Sequence, residues 1–361
     1  MTKYSFKPDF AVAPGETLRE TLEQKGISQS ELCVRTGLAE KTVSQIINGI
    51  APISHETAEK LELVTGVPAS FWNRRELAYR EHQVRAECIE KFALDVAWLK
   101  ELPIKELLER KLIAPFDESA LLVREALRFF GVSSVEAWRN IWANPEVQFR
   151  GKEAQDRRPG IVAAWLRIGE LKAEKIECEP YDPKEFRLAL KQIRKLTVEP
   201  ASGWPNKIRE FCAAAGVAVV FVREIPQAGV SGATRWITKD KALIQVSLKY
   251  KTDDQLWFSI FHEAGHVLLH GKRLTFLEFG HREDTDEEIE ANCFAREMLI
   301  PSMSSTQLAQ LKSKDSIRKF AQAIGVAPGI VVGRLQYDKI LAPSHCNDLK
   351  QKLAWAPSNG K

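Results

Sequence analysis

The sequence has 361 residues, of which 44% are hydrophobic and 28% are charged, and its formal net charge is +4. This length exceeds what one ordinary hydrophobic core holds and predicts two or three domains. Its apolar runs are shorter than the ~18–20 residues of a membrane-spanning helix, and its first residues lack the apolar segment of a secretory signal. We therefore expect a cytoplasmic protein that does not enter a membrane.

The six cysteines contain no C-x-x-C pair, so their spacing fits neither a zinc knuckle nor a disulfide framework. Reduced thiols are expected for a protein of the cytoplasm. The small positive charge permits nucleic-acid binding but does not by itself favour it.

Residues 1–80 have the pattern of a compact helical unit. Ser28 and Glu31 have the spacing of a capping box, which predicts a short helix that ends near Gly37. A second short helix is predicted from about Glu40 to Asn48. Two short helices separated by a tight glycine turn are typical of a helix-turn-helix.

The second of these helices carries most of the candidate DNA contacts. In a helix-turn-helix it enters the major groove, and its first residues face the bases. Here they include Lys41, Thr42, Ser44 and Gln45. Gln45 can pair with adenine, and Lys41 with guanine or a phosphate. Gln29, at the start of the preceding helix, is placed to meet a phosphate.

Residues 13–75, which include SQSELCVRTGLAEKTVSQIING, resemble the Cro/C1-type (XRE) helix-turn-helix domains, particularly those of HigA-like antitoxins. The resemblance implies a lambda-repressor-like helical domain that binds a double-stranded DNA operator. We also expect a homodimer, with a toxin as a candidate further partner.

A helical module that binds only protein is the alternative for residues 1–80. This stretch contains ten lysines and arginines against ten aspartates and glutamates, so it has no net basic footprint for DNA. Glu40 also stands where a basic residue is common in the resembled domains. If DNA is bound, its affinity is modest or is supplied by dimerisation.

From about residue 203 the hydrophobic pattern changes from helical to strand-like. Short β-branched or alternating runs predict about three strands, at Val217–Val222, Ser231–Ile237 and Ala242–Leu248. Together with the helical remainder of the chain, they predict a mainly α protein with a small β-sheet, which is the α+β class.

The segment that follows, DDQLWFSIFHEAGHVLLH (253–270), is predicted to be one apolar, buried helix. It contains no proline and one glycine, and it holds three of the seven histidines of the chain. A capping box of Thr252 and Gln255 predicts where the helix starts, and Gly271 predicts where it ends.

His262 and His266 are four residues apart on this helix and therefore project from one face. That separation lets two imidazoles bind one Zn²⁺ ion, and Glu263 between them can act as the general base. The alternative is a buried helix whose H-E-x-x-H pattern arose by chance, but buried neutral histidines need partners. His270 lies ~12 Å along the helix from His262 and is too distant to share the same ion.

A carboxylate further along the chain is the better third ligand. Thr285 and Glu288 form another predicted capping box, which opens a helix over EEIEANCFAREMLI. Glu290 lies in the second turn of this helix, and spacing alone leaves Glu287 as its competitor. Glu288 and Glu297 are predicted to be solvated surface charges.

HEAGHVLLH, EEIEANCFAREMLIP and FAQAIGVAPGIVVGRLQ together resemble the ImmA/IrrE metallopeptidase family over about residues 160–340. The resemblance implies a zincin-like domain that takes its third zinc ligand from the E-A-N-x-F-A segment, which is Glu290 here. It also implies a protein substrate, a repressor or another regulator, in stress response, mobile-element control or a toxin–antitoxin system.

The two resemblances predict a DNA-binding transcriptional regulator that cleaves a partner repressor through one zinc ion. The alternative is a non-enzymatic antitoxin or repressor whose metallopeptidase-like domain senses a ligand or binds a partner. The predicted parts are residues 1–80, the helix-turn-helix domain; residues 81–155, a helical connector; residues 156–345, the metallopeptidase domain; and residues 346–361, a tail.

Overall fold

The computed structural model describes residues 12–142, 159–200, 203–271, 276–278, 285–302 and 307–356. By its contacts the chain divides into two compact units, residues 1–96 with 117–124 and residues 97–116 with 125–361. Within the described ranges, no helix is long and apolar enough to cross a membrane. The domain boundaries at residues 80, 155 and 345 stay predictions.

A run of short helices opens the first unit. They are α1 (Pro14–Lys25), α2 (Gln29–Thr36), α3 (Glu40–Ile47), α4 (His55–Thr65) and the longer α5 (Ala69–Leu94). α2 begins where predicted, because the Ser28 hydroxyl accepts a hydrogen bond from the Glu31 N–H. Gly37 ends it in the left-handed conformation, at φ 69°, which glycine adopts without steric cost.

The apolar side of α3 packs into the core of the first unit. Val43, Ile46 and Ile47 are buried, as predicted. Gly15 of α1 lies so close to them that a Cβ atom there would be 2.0 Å from the Ile46 carbonyl oxygen. The guanidinium of Arg19, also on α1, donates to the Ile47 carbonyl at 3.4 Å. These contacts fix α3 on the unit and leave its polar residues on the other side.

The remaining helices follow in chain order. They are α6 (Ile104–Glu109), α7 (Ser119–Phe130), α8 (Val135–Trp142), α9 (Pro159–Ala173), α10 (Pro183–Lys195), α11 (Trp204–Ala213), α12 (Asp253–Leu269), α13 (Asp286–Leu299), α14 (Lys314–Ile324) and α15 (Pro328–Tyr337). α12 contains the H-E-x-x-H motif. Its observed bounds differ from the predicted ones by a single residue at the C-terminal end.

The described strands form one small sheet in the second unit. They are β1 (Val217–Phe221), β2 (Gly232–Thr238), β3 (Lys241–Val246) and β4 (Phe276–Glu278), in the order β1-β3-β2-β4. β1 and β3 run parallel, whereas β2 is antiparallel to both β3 and β4. The first three strands confirm the predicted ones and, with the helices, the predicted fold class. β4 has only three residues and was not predicted.

Helices cover both faces of this sheet. Along β3, Ile244 and Val246 join a buried cluster that contains Leu256 and Ile260 of α12. Gln245 points to the other face, where its Nε2 donates to the Trp165 carbonyl of α9 at 2.7 Å. The alternation of side chains along β3 therefore places α12 on one side of the sheet and α9 on the other.

The ends of α12 differ from their prediction. The Thr252 hydroxyl accepts no capping hydrogen bond within the described chain. Instead, the Asp253 N–H donates to the Gln351 carbonyl, and the Gln351 N–H donates to Asp253 Oδ1, both at 2.9 Å. At the other end, His270 leaves the helix in an extended conformation, so Gly271 does not provide a left-handed cap. A distant segment of the chain thus replaces the local cap.

α12 and α13 approach each other closely at Gly265. A Cβ atom on Gly265 would lie 3.1 Å from the Cα of Ala291 and 3.3 Å from the Phe294 ring. Two small residues, Gly265 and Ala291, therefore let the backbones of the two helices come together. This contact places the first turns of α13 beside the histidines of α12.

We expect Gly265→Leu to destabilise the protein, because the new side chain must push α13 away from α12. Overpacking a tight contact costs ~1–3 kcal/mol, which outweighs the ~0.8 kcal/mol that leucine gains over glycine in a helix. Urea unfolding measures the difference. Gly271→Leu is the matched control, because a Cβ there meets no atom of the described residues within 4 Å. Equal unfolding midpoints for the two variants would contradict the close approach.

Candidate metal centre and nucleic-acid interface

Two imidazoles of α12 face each other inside the second unit. His262 and His266 are buried, and their Nε2 atoms lie 3.0 Å apart. Each ring is held through its other nitrogen. The Nδ1 atom of His262 lies 3.0 Å from Asn292 Oδ1, and the Nδ1 atom of His266 lies 2.9 Å from the Nδ1 atom of His270. Both Nε2 atoms are therefore presented to the same space, as the spacing on the helix predicts.

The carboxylate of Glu288 completes this group. Its Oε2 lies 3.2 Å from Nε2 of His262, and its Oε1 lies 3.3 Å from Nε2 of His266. Among the described residues, these three side chains form the group whose donor atoms lie within 4.8 Å of one another and could hold a metal ion. α13 thus provides the carboxylate that the two histidines of α12 lack.

Glu290, the predicted third ligand, lies elsewhere. Its Oε2 contacts Nε2 of His270 at 3.1 Å, and its side chain is 62% exposed. Each residue of a helix turns the side-chain direction by ~100°, so Glu290 points ~200° away from Glu288. Glu288 shares its face with Asn292 and with Ala295, which are buried against the neighbouring elements. The structure therefore does not bring Glu290 to the two imidazoles, and the carboxylate of Glu288 lies there instead.

Glu288 was expected to be a solvated charge that closes a capping box. Half of that box forms, since the Thr285 hydroxyl accepts a hydrogen bond from the Glu288 N–H. The Glu288 carboxylate turns to the two histidines instead of back to the helix start. Glu297, by contrast, is exposed as predicted. The capping pattern was read correctly for the backbone and wrongly for the side chain.

The charge states of these groups suit a cation. Burial raises the pKa of the Glu288 carboxyl, but its close contacts with the imidazoles of His262 and His266 outweigh burial and lower the pKa to about 2. Burial lowers the pKa of His266 to about 4, against the opposing effect of the nearby Glu288 carboxylate. At neutral pH the set therefore combines an ionised carboxylate with a neutral imidazole, which are the forms that bind metals.

The donor set fits zinc. Donor atoms that bind one tetrahedral ion at ~2.0 Å lie ~3.3 Å apart, and the three separations here are 3.0, 3.2 and 3.3 Å. Because Asn292 Oδ1 accepts a hydrogen bond, His262 carries its proton on Nδ1, and its Nε2 lone pair faces the Glu288 carboxylate. Two acceptors at this distance repel each other unless a cation lies between them. Two imidazoles and one carboxylate are a common zinc ligand set.

Glu263, the predicted general base, lies on the side of α12 that packs against β2. It is fully buried, and the Thr234 hydroxyl lies 2.5 Å from its Oε2. Gly232 also lies against the carboxylate, because a Cβ atom at that position would be 2.3 Å from Glu263 Oε1. Sequence reasoning missed Thr234 and Gly232, since each lies about 30 residues from Glu263 and only the folded sheet brings them together.

A pocket of about 170 Å³ lies beside the candidate metal centre, between α12, α13 and α15. Phe258 and Asn292 line it, and both also contact His262. The Phe258 ring stacks on the imidazole at a centroid distance of 6.1 Å. Asn292 was not assigned a role from the sequence, although it lies one helical turn after Glu288 on the same face.

The candidate nucleic-acid interface lies on α2 and α3. Gln29 is exposed at the first position of α2, and Lys41 and Ser44 are exposed on α3. Thr42 and Gln45 are half-buried. Lys41 and Gln45 are four residues apart and therefore share a face of α3.

Two family models match separate parts of the sequence. Residues 18–72 match a helix-turn-helix model, and residues 214–336 match the IrrE N-terminal-like domain of peptidase family M78. The chain joins a helix-turn-helix domain to an IrrE N-terminal-like domain. The helix-turn-helix domain is a DNA-binding domain, and the IrrE N-terminal-like domain belongs to a peptidase family that is generally metal-dependent.

Among solved structures, the chain is similar to an addiction module antidote protein of the HigA family from Coxiella burnetii. The identity is 25%, the match covers 23% of this chain and 90% of that chain, and the TM-score is 0.21. No curated protein matches the sequence.

We expect Glu288→Ala to weaken Zn²⁺ binding by more than the ~10–100-fold that loss of an outer hydrogen-bond partner costs, because it removes a direct donor. In the unsubstituted protein, Zn²⁺ at about 100 times its Kd should add ~2.7 kcal/mol to the free energy of unfolding. Competition with a chelator and urea unfolding measure both effects. Glu297→Ala, at an exposed position of α13, is the control. Equal Zn²⁺ affinities for the two variants would exclude Glu288 from the site.

Proposed function

We propose that this chain is a DNA-binding transcriptional regulator whose IrrE N-terminal-like domain is a zinc-dependent endopeptidase. Its substrate is a partner repressor or another regulator protein. The observation that carries the proposal is the convergence of His262, His266 and Glu288 on one point, with Glu263 on the same helix. A chance H-E-x-x-H pattern gives no reason for a carboxylate of a second helix to face both imidazoles.

The residues of the site divide the work between holding a metal and moving a proton. His262, His266 and Glu288 would hold a zinc ion. Bound there, zinc supplies Lewis-acid chemistry, which polarises a peptide carbonyl and makes water more acidic. Glu263 takes the proton of the attacking water and passes it to the leaving amine.

We infer from the surroundings of Glu263 which of its two oxygens takes that proton. The Thr234 hydroxyl lies 2.5 Å from Oε2 and holds that oxygen against β2. Proton transfer is therefore assigned to Oε1. Gly232 leaves room for this oxygen, because any side chain at that position would overlap it.

The helix-turn-helix domain would bring the peptidase to an operator. Lys41 and Gln45 are our candidates for base contacts, with Thr42 and Ser44 beside them and Gln29 on a phosphate. These assignments are supported by the positions of the residues, at the start of α2 and along the side of α3 that faces away from the core. A homodimer would provide two such helices for one operator, as is usual for this motif.

Glu263→Gln should retain Zn²⁺ and lose proteolysis, because the amide keeps the shape of the side chain and cannot take a proton. General-base catalysis contributes ~10²–10⁴-fold to a rate, so cleavage should fall by about that factor. Mass spectrometry measures this by identifying new protein N-termini in cells that express the unsubstituted protein or Glu263→Gln. Promoter binding by the two forms should be equal.

The same experiment separates the proposal from the non-enzymatic alternative. Loss of particular N-termini with Glu263→Gln supports the peptidase. An identical set of N-termini with both forms, together with full Zn²⁺ binding, would leave a metal-binding regulator that is not a peptidase.

The double variant Lys41→Ala with Gln45→Ala should weaken binding to an operator selected from random duplexes. Each base contact of this kind is worth ~1–3 kcal/mol, so we expect a loss of at least ~10-fold. Electrophoretic mobility shifts at fixed salt measure it. The double variant Gln24→Ala with Lys60→Ala removes the same side-chain types from α1 and α4 and should bind normally. Equal losses would indicate that charge alone is responsible.

A further inference from the structure

We propose that His270 and Glu290 are positioning residues that fix the proton of His266 on Nδ1 and so present its Nε2 to the metal centre. The inference deepens the proposed function and rests on its metal-centre part. It also gives a role to Glu290, which does not reach the three donor atoms.

The side chains of His266, His270 and Glu290 form a continuous hydrogen-bonded series, which we call the relay. Nδ1 of His266 lies 2.9 Å from Nδ1 of His270, and Nε2 of His270 lies 3.1 Å from Oε2 of Glu290. The imidazoles are shielded from solvent, with side-chain exposures of 1% for His266 and 5% for His270, whereas the Glu290 side chain is 62% exposed. The relay therefore runs from the buried donor group to the protein surface.

The chemistry of the partners sets the direction of each hydrogen bond. An ionised carboxylate only accepts, so the proton of a neutral His270 lies on Nε2 and is donated to Glu290. Nδ1 of His270 then carries a lone pair and can only accept. The hydrogen bond between the two Nδ1 atoms therefore requires the proton of His266 to lie on its own Nδ1. This leaves the Nε2 lone pair of His266 free of a proton and directed to the site.

His262 reaches the same state by a shorter route. Its Nδ1 atom donates directly to Asn292 Oδ1 at 3.0 Å. Asn292 and Glu290 both lie on α13, as does Glu288. One helix thus supplies the carboxylate of the donor set and the acceptor that orients each histidine, through Asn292 for His262 and through His270 for His266.

The end of α12 makes the second route available. His270 follows the last helical residue and has an extended backbone at φ −113° and ψ 162°. Its N–H still donates to the His266 carbonyl at 3.2 Å, which keeps the two residues adjacent. The imidazole of His270 consequently bridges from His266 to Glu290 on the neighbouring helix.

Zn²⁺ affinity is the first readout, measured on the full-length protein by competition with a chelator. Loss of an outer hydrogen-bond partner costs ~10–100-fold in metal affinity, and we expect this loss for His270→Leu. His270→Gln offers an amide oxygen to His266 and should recover most of it. His345→Leu removes an exposed histidine outside the site and should bind Zn²⁺ normally.

The tautomer of His266 is the second readout, and it does not need a metal. Nitrogen NMR of the metal-free protein should show the proton of His266 on Nδ1. Glu290→Lys replaces the acceptor with a donor, which should move the proton of His270 to Nδ1 and that of His266 to Nε2. Glu290 is exposed, so this variant tests the relay even if His270→Leu fails to fold. Glu210→Lys, an exposed charge reversal on α11, should change neither tautomer.

The two readouts distinguish the relay from the metal centre. If His266 carries its proton on Nε2 in the unsubstituted protein, or keeps it on Nδ1 in Glu290→Lys, the relay is wrong. If His270→Leu folds and binds Zn²⁺ as tightly as the unsubstituted protein, the positioning role is also wrong. If the unsubstituted protein binds no Zn²⁺ while the tautomers respond as expected, the metal centre fails and the relay stands.

Discussion

The close approach of α12 and α13 is the constraint on which the whole site depends. Gly265 and Ala291 have no bulk to hold the two helix backbones apart. Larger side chains at this contact would move α13, and the Glu288 carboxylate with it, away from the imidazoles of α12. The packing of two small residues therefore determines whether the carboxylate reaches the histidines.

Burial then restricts the partners that the ring nitrogens of His262 and His266 can have. His262 and His266 are almost fully shielded from solvent, so each must satisfy both ring nitrogens within the protein or with a bound cation. Hydrogen bonds to Asn292 and His270 use the Nδ1 atoms, and the Nε2 atoms are left facing a carboxylate. In water, Nε2 atoms beside a carboxylate would cost little free energy, because water would satisfy them, and the arrangement would not indicate a metal site. In a shielded site it favours a divalent ion.

The difference between the predicted carboxylate, Glu290, and the one that lies beside the histidines, Glu288, has a clear physical origin. Glu287, Glu288 and Glu290 were compared by their distance along the chain and by a resemblance, and neither measures the direction in which a helical side chain points. Ala291 and Ala295 mark the buried face of α13, and Glu288 shares that face whereas Glu290 does not. The helical period alone separates Glu290 from that face but does not distinguish Glu288 from Glu287, which lies four residues before Ala291. Thr234 and Gly232, in contrast, could not be found from the sequence, because no local pattern connects β2 to Glu263.

The sequence by itself determined the features that depend on neighbouring residues. These are the helix starts at Ser28 and Thr285, the glycine turn between α2 and α3, the three longer strands and the pairing of His262 with His266 on one helical face. Only the tertiary structure decided which carboxylate meets the histidines, what holds Glu263, and that Gln351 replaces a local cap at the start of α12. Local features follow from backbone geometry and short-range hydrogen bonds, whereas the second group follows from how closely separate elements pack.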